Sequence, residues 1–396
     1  RLPAPPARPR PWRAPRVVTS VAFAMTLCAA IGMLRSSSPA LAQRTAPTDP
    51  VAAHGARAAE IAAAPEPGDD ASWRRVAQLG GAPTAVAVDG RLAVLGVAES
   101  LWIVDLTVDN RPRVIGRTAL LGATVVDVAL GGGRAVAALG GDGLVVVDVA
   151  LPTAPAVLAR FDGDASSLAA AGDRVVACGG TACRVVRTAG DDAPAIVGSA
   201  AFSGAVGPVA AALGRAYVAV DASQDGGGVA LHVVDITDPT GMQTLVTKAL
   251  IASPVRGLGV AGDWLYLVQD TGDLRAYDLS GGGPPVPRGG VRVPAGVQAT
   301  GAHPLAVAGD RVYVASGLEV SAVDVSQPTL PRFVGATPVD GFVAAVAATA
   351  SRVYVANHAD LLGGRRAFHG LEVLAAAVDG PALPLGSLDE AWHAYG

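Results

Sequence analysis

The residues of this 396-residue chain that could do chemistry are few and scattered. Of its six histidines, only His358 and His369 fall within one short segment, 357–370. Zinc requires three or four His, Cys or acidic ligands, so solvated loop histidines are a better interpretation of this pair. The segment 221–228 carries two Asp among glycines but lacks the alternating acidic spacing and closing Glu of a calcium loop. The sequence therefore predicts no metal site and no cofactor.

Motifs for covalent catalysis and for phosphate binding are absent from the sequence as well. No Gly-x-Ser-x-Gly elbow occurs, and no spacing of Ser, His and Asp nominates a catalytic triad. The glycine-rich runs at 131–133 and 281–285 precede no predicted helix and no Lys-Ser or Lys-Thr pair, unlike a phosphate-binding loop. The chain is therefore predicted not to be an enzyme.

A short apolar strand returns seven times along the chain and must form the scaffold for any site. Five copies end in Asp and are followed by a turn that contains Pro. The seven copies occupy residues 101–105, 144–148, 183–187, 231–235, 274–278, 320–324 and 371–375. Consecutive copies lie 39 to 51 residues apart, which is the length of a four-stranded propeller blade.

The sixth unit displays the four strands of a blade most clearly. Strands are predicted at 303–308, 311–315, 318–324 and 332–336, and Gly309 begins a tight turn between the first two. Val and Ala dominate these strands, as expected for sheets that are covered on both faces. The sequence thus predicts an all-β fold, a seven-bladed β-propeller of four-stranded antiparallel blades. Rings of six or eight blades are the alternatives that the spacing leaves open.

A closed ring must join its two ends, because an open edge strand invites aggregation. Two segments could supply the outer strand of the last blade. One is 73–79, which precedes the first blade, and the other is 381–388, near the end of the chain. The pattern does not decide between them.

The Asp that ends five of the seven copies invites two interpretations. A ring of ligand carboxylates is one. The other is a turn in which the Asp accepts hydrogen bonds from backbone amides two residues on. Arg187 and Ala375 occupy the same place in the remaining copies, so the position tolerates the loss of the carboxylate. We therefore expect a structural role.

The strand and its turn resemble the LVIVD repeat family, named for a Leu-Val-Ile-Val-Asp strand that a Ser/Thr-Asp-Pro turn follows. The closest copies are Leu101 to Asp105, Leu144 to Asp148 and Leu231 to Pro239, and the resemblance extends over about residues 73–389. It implies an exported bacterial or archaeal β-propeller. It implies no general activity and supplies no catalytic residues.

In a propeller, a ligand site is expected at the mouth of the central channel, where the first strands of the blades begin. The residues leading into these strands are Thr84, Thr124, Ser166, Gly207, Arg256, His303 and Phe342. This set contains no carboxylate and one His, which is too little for a calcium or zinc site. Arg256, His303 and Phe342 are predicted to contact a small anionic or peptide ligand. A rim without a ligand is the alternative.

The first 42 residues have the layout of a secretory signal rather than of a propeller. A basic start precedes a continuous apolar run at 17–34, and 36–42 end in an Ala-x-Ala cleavage pattern. An uncleaved N-terminal anchor is the alternative, because the apolar run approaches the length of a membrane span. Residues 43–72, rich in Ala, Pro and Asp, are predicted to be a disordered linker, and 73–396 the propeller. We expect an extracellular, cell-surface or periplasmic location.

The net charge of the chain without residues 1–42 limits the kinds of partner that it can bind. Residues 1–42 hold six Arg and no acidic residue, so their removal leaves 24 basic and 34 acidic residues, a net charge of −10. Such a chain, without a basic cluster, is a poor ligand for nucleic acid or for an anionic membrane surface. We expect a monomer without a membrane span after cleavage, and an unknown protein, peptide or surface ligand as its partner.

Two cysteines, Cys178 and Cys183, remain once the signal is removed. They flank 179–182 at the tip of a predicted hairpin in the third blade. A hairpin can bring two Cβ atoms opposite each other, and an exported compartment permits oxidation. The sequence favours a disulfide over two buried free thiols.

The function that the sequence favours is that of an exported binding or interaction scaffold. An exported metal-dependent hydrolase, or a lactonase-like propeller enzyme, is the alternative. That alternative requires three or more ligands that converge in space from positions that no sequence motif marks.

Overall fold

The computed structural model describes residues 78–80, 82–108, 111–190, 192–221, 228–251, 253–358, 370–376 and 381–387. The predicted signal (1–42) and linker (43–72) lie outside these residues. So do most of the two long insertions, at 222–227 and 359–369.

The described residues form seven antiparallel sheets, and in each sheet the four strands of one blade follow chain order. The sheet of the last blade also contains a strand from the start of the described residues. In chain order the strands are β1 (Gln78–Gly80); β2 (Pro83–Asp89), β3 (Leu92–Val97), β4 (Ser100–Asp105) and β5 (Arg113–Arg117) in blade 1; β6 (Asp127–Gly131), β7 (Arg134–Ala138), β8 (Leu144–Asp148) and β9 (Ala156–Phe161) in blade 2; β10 (Ser167–Ala171), β11 (Arg174–Gly179), β12 (Ala182–Arg187) and β13 (Ala195–Ala201) in blade 3. They continue as β14 (Ala205–Ala212), β15 (Arg215–Asp221), β16 (Val229–Asp235) and β17 (Gln243–Ile251) in blade 4; β18 (Val255–Ala261), β19 (Trp264–Gln269), β20 (Asp273–Asp278) and β21 (Val286–Arg292) in blade 5; β22 (Leu305–Ala308), β23 (Arg311–Ala315), β24 (Glu319–Asp324) and β25 (Arg332–Pro338) in blade 6; and β26 (Phe342–Ala348), β27 (Arg352–His358), β28 (Gly370–Ala375) and β29 (Leu383–Ser387) in blade 7. The helical structure among the described residues is a 3-10 turn at Pro239–Gly241.

The first strands of the blades contact one another in cyclic order, from β2 through β6, β10, β14, β18 and β22 to β26 and back to β2. This order confirms the predicted seven-bladed propeller, with the first strands around its axis. None of the helical segments in the described part of the chain has the length and hydrophobicity needed to cross a membrane.

The hydrophobic core lies between neighbouring blades rather than inside any one of them. In one cluster, Val94 and Leu101 of blade 1 pack with Val145 and Val147 of blade 2, and all four are buried. Small β-branched side chains suit this arrangement, because each sheet must pack on both faces at native density. A single blade therefore cannot bury its own apolar surface, and stability requires the complete ring.

The Asp at the end of the third strand caps the following turn, as predicted. The same bond recurs five times at 2.8–2.9 Å, from the amides of Thr107, Ala150, Thr237, Ser280 and Ser326 to Asp105, Asp148, Asp235, Asp278 and Asp324. The amide and hydroxyl of Ser326, helped by Arg332 and Arg311, lower the pKa of Asp324 to about 2. Each of these carboxylates accepts a hydrogen bond from a backbone amide of its own turn.

Glycines in the fourth strands of blades 1, 3 and 5 join each of these blades to the next one. Gly198 of blade 3 lies so close to blade 4 that an added Cβ would overlap the carbonyl oxygen of Pro239. Gly116 has the same relation to Pro152, and a Cβ on Gly289 would lie 2.5 Å from the oxygen of Pro328. The turn that follows the Val-Asp strand thus docks its backbone on the fourth strand of the preceding blade, which requires a residue without a side chain.

Part of each candidate segment closes the ring, since Gln78–Gly80 and Leu383–Ser387 divide the outer edge of β28 between them. Residues 73–77 of the first candidate lie outside the described residues. Gln78–Gly80 pairs with the first half of β28, from Gly370 to Glu372. Leu383–Ser387 pairs with the second half, from Glu372 to Ala375. The ring is closed by two short strands that lie end to end.

Cys178 and Cys183 face each other at the end of the hairpin between β11 and β12. They are paired in register, with 4.1 Å between their Cα atoms, and they form a disulfide. Both side chains are buried. The amide of Ser166, which leads into β10, donates to the carbonyl oxygen of Cys178 at 2.8 Å, so this hairpin supports the rim of the channel.

Candidate functional site

Register shifts mark the channel-mouth end of four first strands. The shifted residues are Thr84 in blade 1, Gly207 and Pro208 in blade 4, Arg256 in blade 5 and Ala344 in blade 7. A β-bulge leaves a residue out of the ladder and redirects its side chain or backbone. At the rim of the channel mouth these residues are therefore left out of the regular strand pairing.

The segment 297–303, which leads from blade 5 into blade 6, lies across the channel mouth; we call it the plug segment. Its Gly301 amide donates to the Ala344 carbonyl of blade 7 at 3.0 Å. A Cβ on Gly301 would overlap the Thr84 carbonyl of blade 1, so the backbones touch there. The His303 carbonyl accepts from the Val346 amide at 2.9 Å. Two of the four bulges, Thr84 and Ala344, thus hold the plug segment.

An ion pair between a fully buried carboxylate and a partly exposed imidazole fixes the end of the plug segment on the far side of the ring. His303 Nε2 lies 2.9 Å from Oδ1 of Asp127, the first residue of β6 in blade 2. Asp127 is fully buried, and it also accepts from the amides of Val128 at 2.7 Å and of Leu168 in blade 3 at 2.6 Å. One carboxylate therefore connects blades 2, 3 and 6.

Burial and charge act in opposite directions on His303. Burial lowers the pKa of the imidazole, but the charge of Asp127 and its hydrogen bond outweigh burial, so that the pKa of His303 is raised. The folded protein therefore favours the imidazolium form, which donates to the carboxylate. Asp127 is the ionisable group that His303 contacts within the described residues.

The stability that this pair contributes is expected to depend on pH. A raised folded-state pKa gives stabilisation that is complete below the unfolded value of about 6.5 and is lost as the pH rises through the folded value. Urea unfolding of the wild type and of His303→Gln, compared between about pH 5 and pH 9, should give a difference that shrinks as the pH rises. A difference that stays constant over that range would contradict the ion pair, because other titrating groups cancel between the two proteins.

A cleft remains between the plug segment and blades 3, 4 and 5; we call it the mouth cleft. Its volume is about 460 Å³. Ser166, Pro208 and Arg256 line it from the three blades, and Gln298 and Ala302 line it from the plug segment. Arg256 is the charged member among the described lining residues, its side chain is exposed, and no described residue forms a hydrogen bond or ion pair with it.

The structure separates the three residues predicted to share a ligand. Arg256 lines the mouth cleft, whereas the side chain of His303, the last residue of the plug segment, contacts Asp127 and lines the cavity below. Phe342 does not line the cleft; its ring stacks on His358 with 6.2 Å between centroids, and His358 Nε2 lies 2.9 Å from the Thr300 hydroxyl. The plug segment thus lies between Arg256 on one side and Phe342 with His358 on the other.

Below the plug segment the channel is narrow and apolar. A cavity of about 260 Å³ is lined by aliphatic side chains of the first strands, such as Val86, Val128 and Val209, and by His303. The described residues contain no group of three or more His, Cys, Asp or Glu that could hold a metal ion.

Sequence reasoning missed the plug segment and the partner of His303. A signal was present, because the connection from β21 to β22 (293–304) is the longest between the described blades. Asp127 was identifiable as the carboxylate nearest to the mouth. No motif pairs Asp127 with His303, because the two residues belong to opposite blades.

A comparison with protein families matches the LVIVD repeat at residues 122–163 and 301–337. The chain carries LVIVD repeats in these two segments. The first matched LVIVD repeat contains Asp127 and the second contains His303, so the two matched segments contribute the two partners of the ion pair across the ring. No curated protein matches the sequence.

Solved structures that resemble this LVIVD-repeat chain share its fold at low identity. A structure of U3-55K has a TM-score of 0.61 at 13% identity and covers 78% of this chain and 99% of that one. The RRP9 WD40 repeats give 0.58 at 13% identity, with 77% and 98% covered. A chain of a mitotic checkpoint complex gives 0.56 at 12% identity, with 74% and 95% covered. At these identities the likeness concerns the propeller fold alone.

Proposed function

We propose that this LVIVD-repeat propeller is an exported binding module that holds its ligand in the mouth cleft. One observation carries the proposal: the plug segment covers part of the channel mouth and leaves beside it a cleft with Arg256, which has no ion-pair or hydrogen-bond partner among the described residues. The volume of about 460 Å³ lies within the range of roughly 300–1,000 Å³ that small-ligand sites occupy.

Neighbouring structure holds the residues that line the cleft, which favours a binding surface that exists before the ligand binds. Ser166 leads into β10 beside the disulfide hairpin, and Arg256 follows directly on the buried Val255. Gln298 is held through its backbone, because its amide donates to Ala315 at 3.3 Å and its carbonyl accepts from Gly317 at 2.9 Å. A pre-formed site loses little conformational entropy when a ligand binds.

Export is supported by the sequence of residues 1–42 and by the cysteine pair. A basic start, an apolar run and an Ala-x-Ala pattern precede the propeller. A disulfide between Cys178 and Cys183 suits an oxidising compartment. The mature chain of the proposal begins at residue 43 and acts outside the cytoplasm as a monomer.

Native and denaturing mass spectrometry of the protein from its exported fraction tests both parts of the proposal. We expect the denatured mass of residues 43–396 with one disulfide, and an additional small mass in the native spectrum. Ser166→Trp, which fills the cleft from an exposed position, should remove that additional mass. Ser351→Trp, in an exposed turn of blade 7 that does not line the cleft, should keep it. Absence of the protein from the exported fraction would refute export, and retention of residues 1–42 there would refute cleavage in favour of an N-terminal anchor. Equal ligand in Ser166→Trp would refute the cleft.

A further inference from the structure

Within the proposed function, we infer that the ligand of the mouth cleft presents a carboxylate to Arg256. The ligand is a small organic acid or the C-terminal end of a peptide, since both offer the same group. The inference rests on the proposed function and adds the chemical class of the ligand.

The positive charge of the cleft predicts that the ligand carries a negative charge. Arg256 is its charged member among the described residues, and no Asp or Glu lines the cleft to neutralise it. By contrast, Arg311 and Arg332 of blade 6 lie 3.2 and 3.3 Å from the carboxylate of Asp324. A guanidinium presents a planar fork of donors that matches a carboxylate in a bidentate arrangement. An unpaired Arg beside a concave surface therefore predicts an anion from outside the chain.

The backbone at Arg256 shows how the fold aims this side chain. Val255 pairs with Gln269 and Gly257 with Val268, so Arg256 is the extra residue of a bulge at the rim. Blade 4 carries the neighbouring bulge at Gly207 and Pro208, and these residues line the same cleft. The bulges of blades 1 and 7 hold the plug segment, whereas those of blades 4 and 5 face the cleft. Bulges are often found beside binding sites because they redirect a side chain.

The rest of the lining suits an acid with an apolar body rather than a multiply charged anion. Pro208, Val255, Val297 and Pro304 provide apolar surface around the single cation. The hydroxyl of Ser166 and the amide of Gln298 add uncharged hydrogen-bonding groups. A phosphate ester would bring up to two negative charges to one guanidinium, whereas a carboxylate brings one. The cleft therefore favours a monocarboxylate.

Matched acid and amide probes test the inference on the mature chain. The first pair is phenylacetate and phenylacetamide, and the second is N-acetyl-Ala-Ala-Phe and its C-terminal amide. We expect ligand-observed NMR to detect an acid and to find its amide at least about tenfold weaker. Arg256→Gln should weaken the acid by about tenfold to a hundredfold, as the loss of a charge-assisted pair does. Arg275→Gln, an exposed Arg of β20 that does not line the cleft, should change nothing.

The outcomes separate the inference from the proposed function. Equal binding of acid and amide, unchanged acid binding by Arg256→Gln, or no binding of either acid would overturn the inference. If Ser166→Trp removes the native ligand while Arg256→Gln retains it, the cleft remains the site and only the carboxylate fails. Binding of phenylacetate supports a free acid as the source, and binding of the peptide acid alone supports a C-terminal segment.

Discussion

Replacing Gly198 with Ala is expected to lower the free energy of unfolding by about 3 kcal/mol, the upper end of typical overpacking costs. The new Cβ would overlap the Pro239 carbonyl oxygen of the next blade, which is backbone and cannot rotate away. Gly198 lacks a positive φ, so the cost is steric rather than conformational. Relief requires that blades 3 and 4 separate, and their separation would expose the apolar cluster that includes Val185 and Val218.

Urea unfolding monitored by tryptophan fluorescence measures this effect. Gly281→Ala is the matched control, because nothing lies within 4 Å of its added Cβ and its φ is not positive. We expect the control to stay within about 0.5 kcal/mol of the wild type. If Gly198→Ala and Gly281→Ala unfold at the same urea concentration, the contact between the fourth strand and the next turn does not hold the blades together.

Replacing Asp127 with Ala is expected to cost about 3–5 kcal/mol, as the removal of one partner from a buried pair does. The fully buried carboxylate accepts from the amides of Val128 and Leu168 and from His303. Without it, two buried amides and an imidazole lose their acceptor. The loss falls on blades 2, 3 and 6 together, so the change should also loosen the plug segment.

Thermal unfolding combined with hydrogen exchange separates the two consequences. Asp142→Ala, an exposed Asp in the same blade, is the control and should behave as the wild type. In Asp127→Ala, faster exchange is expected at the amides of Thr300 and Gly301, which bond to blade 7 in the wild type. Wild-type exchange at these amides in a destabilised Asp127→Ala protein would mean that the ion pair does not hold the plug segment.

These two contacts explain how the propeller positions its cleft. The glycine and proline contacts fix blades 1, 3 and 5 against blades 2, 4 and 6, and this close packing makes the rim between them rigid. The ion pair of Asp127 and His303 then fixes the one segment that crosses the rim. The mouth cleft exists because the plug segment covers the blade 7 side of the mouth and leaves the side of blades 3, 4 and 5 open.

Much of the fold could be predicted from the sequence because its signals are local. Each blade repeats its own strand pattern, so strand positions follow from alternation and turn chemistry without knowledge of distant residues. In blade 6, the predicted strand 311–315 agrees with β23 at both ends, and the predicted 332–336 falls within β25. The capping role of the terminal Asp was equally accessible, since donor and acceptor lie two residues apart.

The candidate site was predicted only in part. Arg256 was identified from its place at the start of a first strand, and it does line the cleft. His303 and Phe342 were identified by the same rule, but the rule supposes an open mouth. The mouth is not open, because the plug segment covers part of it. The His303 side chain contacts Asp127 instead, and the plug segment separates Arg256 from Phe342.

The sequence by itself determined the four-stranded antiparallel blade and the capped turns and favoured seven blades, because those features follow from contacts between near neighbours in the chain. The structure then decided for seven blades over six or eight. Only the tertiary structure decided how Gln78–Gly80 and Leu383–Ser387 divide the last edge, which segment covers the mouth and which carboxylate meets His303. These features depend on closure of the ring, which brings together residues from opposite blades. A repeat pattern carries no information about such pairs, since every blade offers equivalent positions until the ring closes.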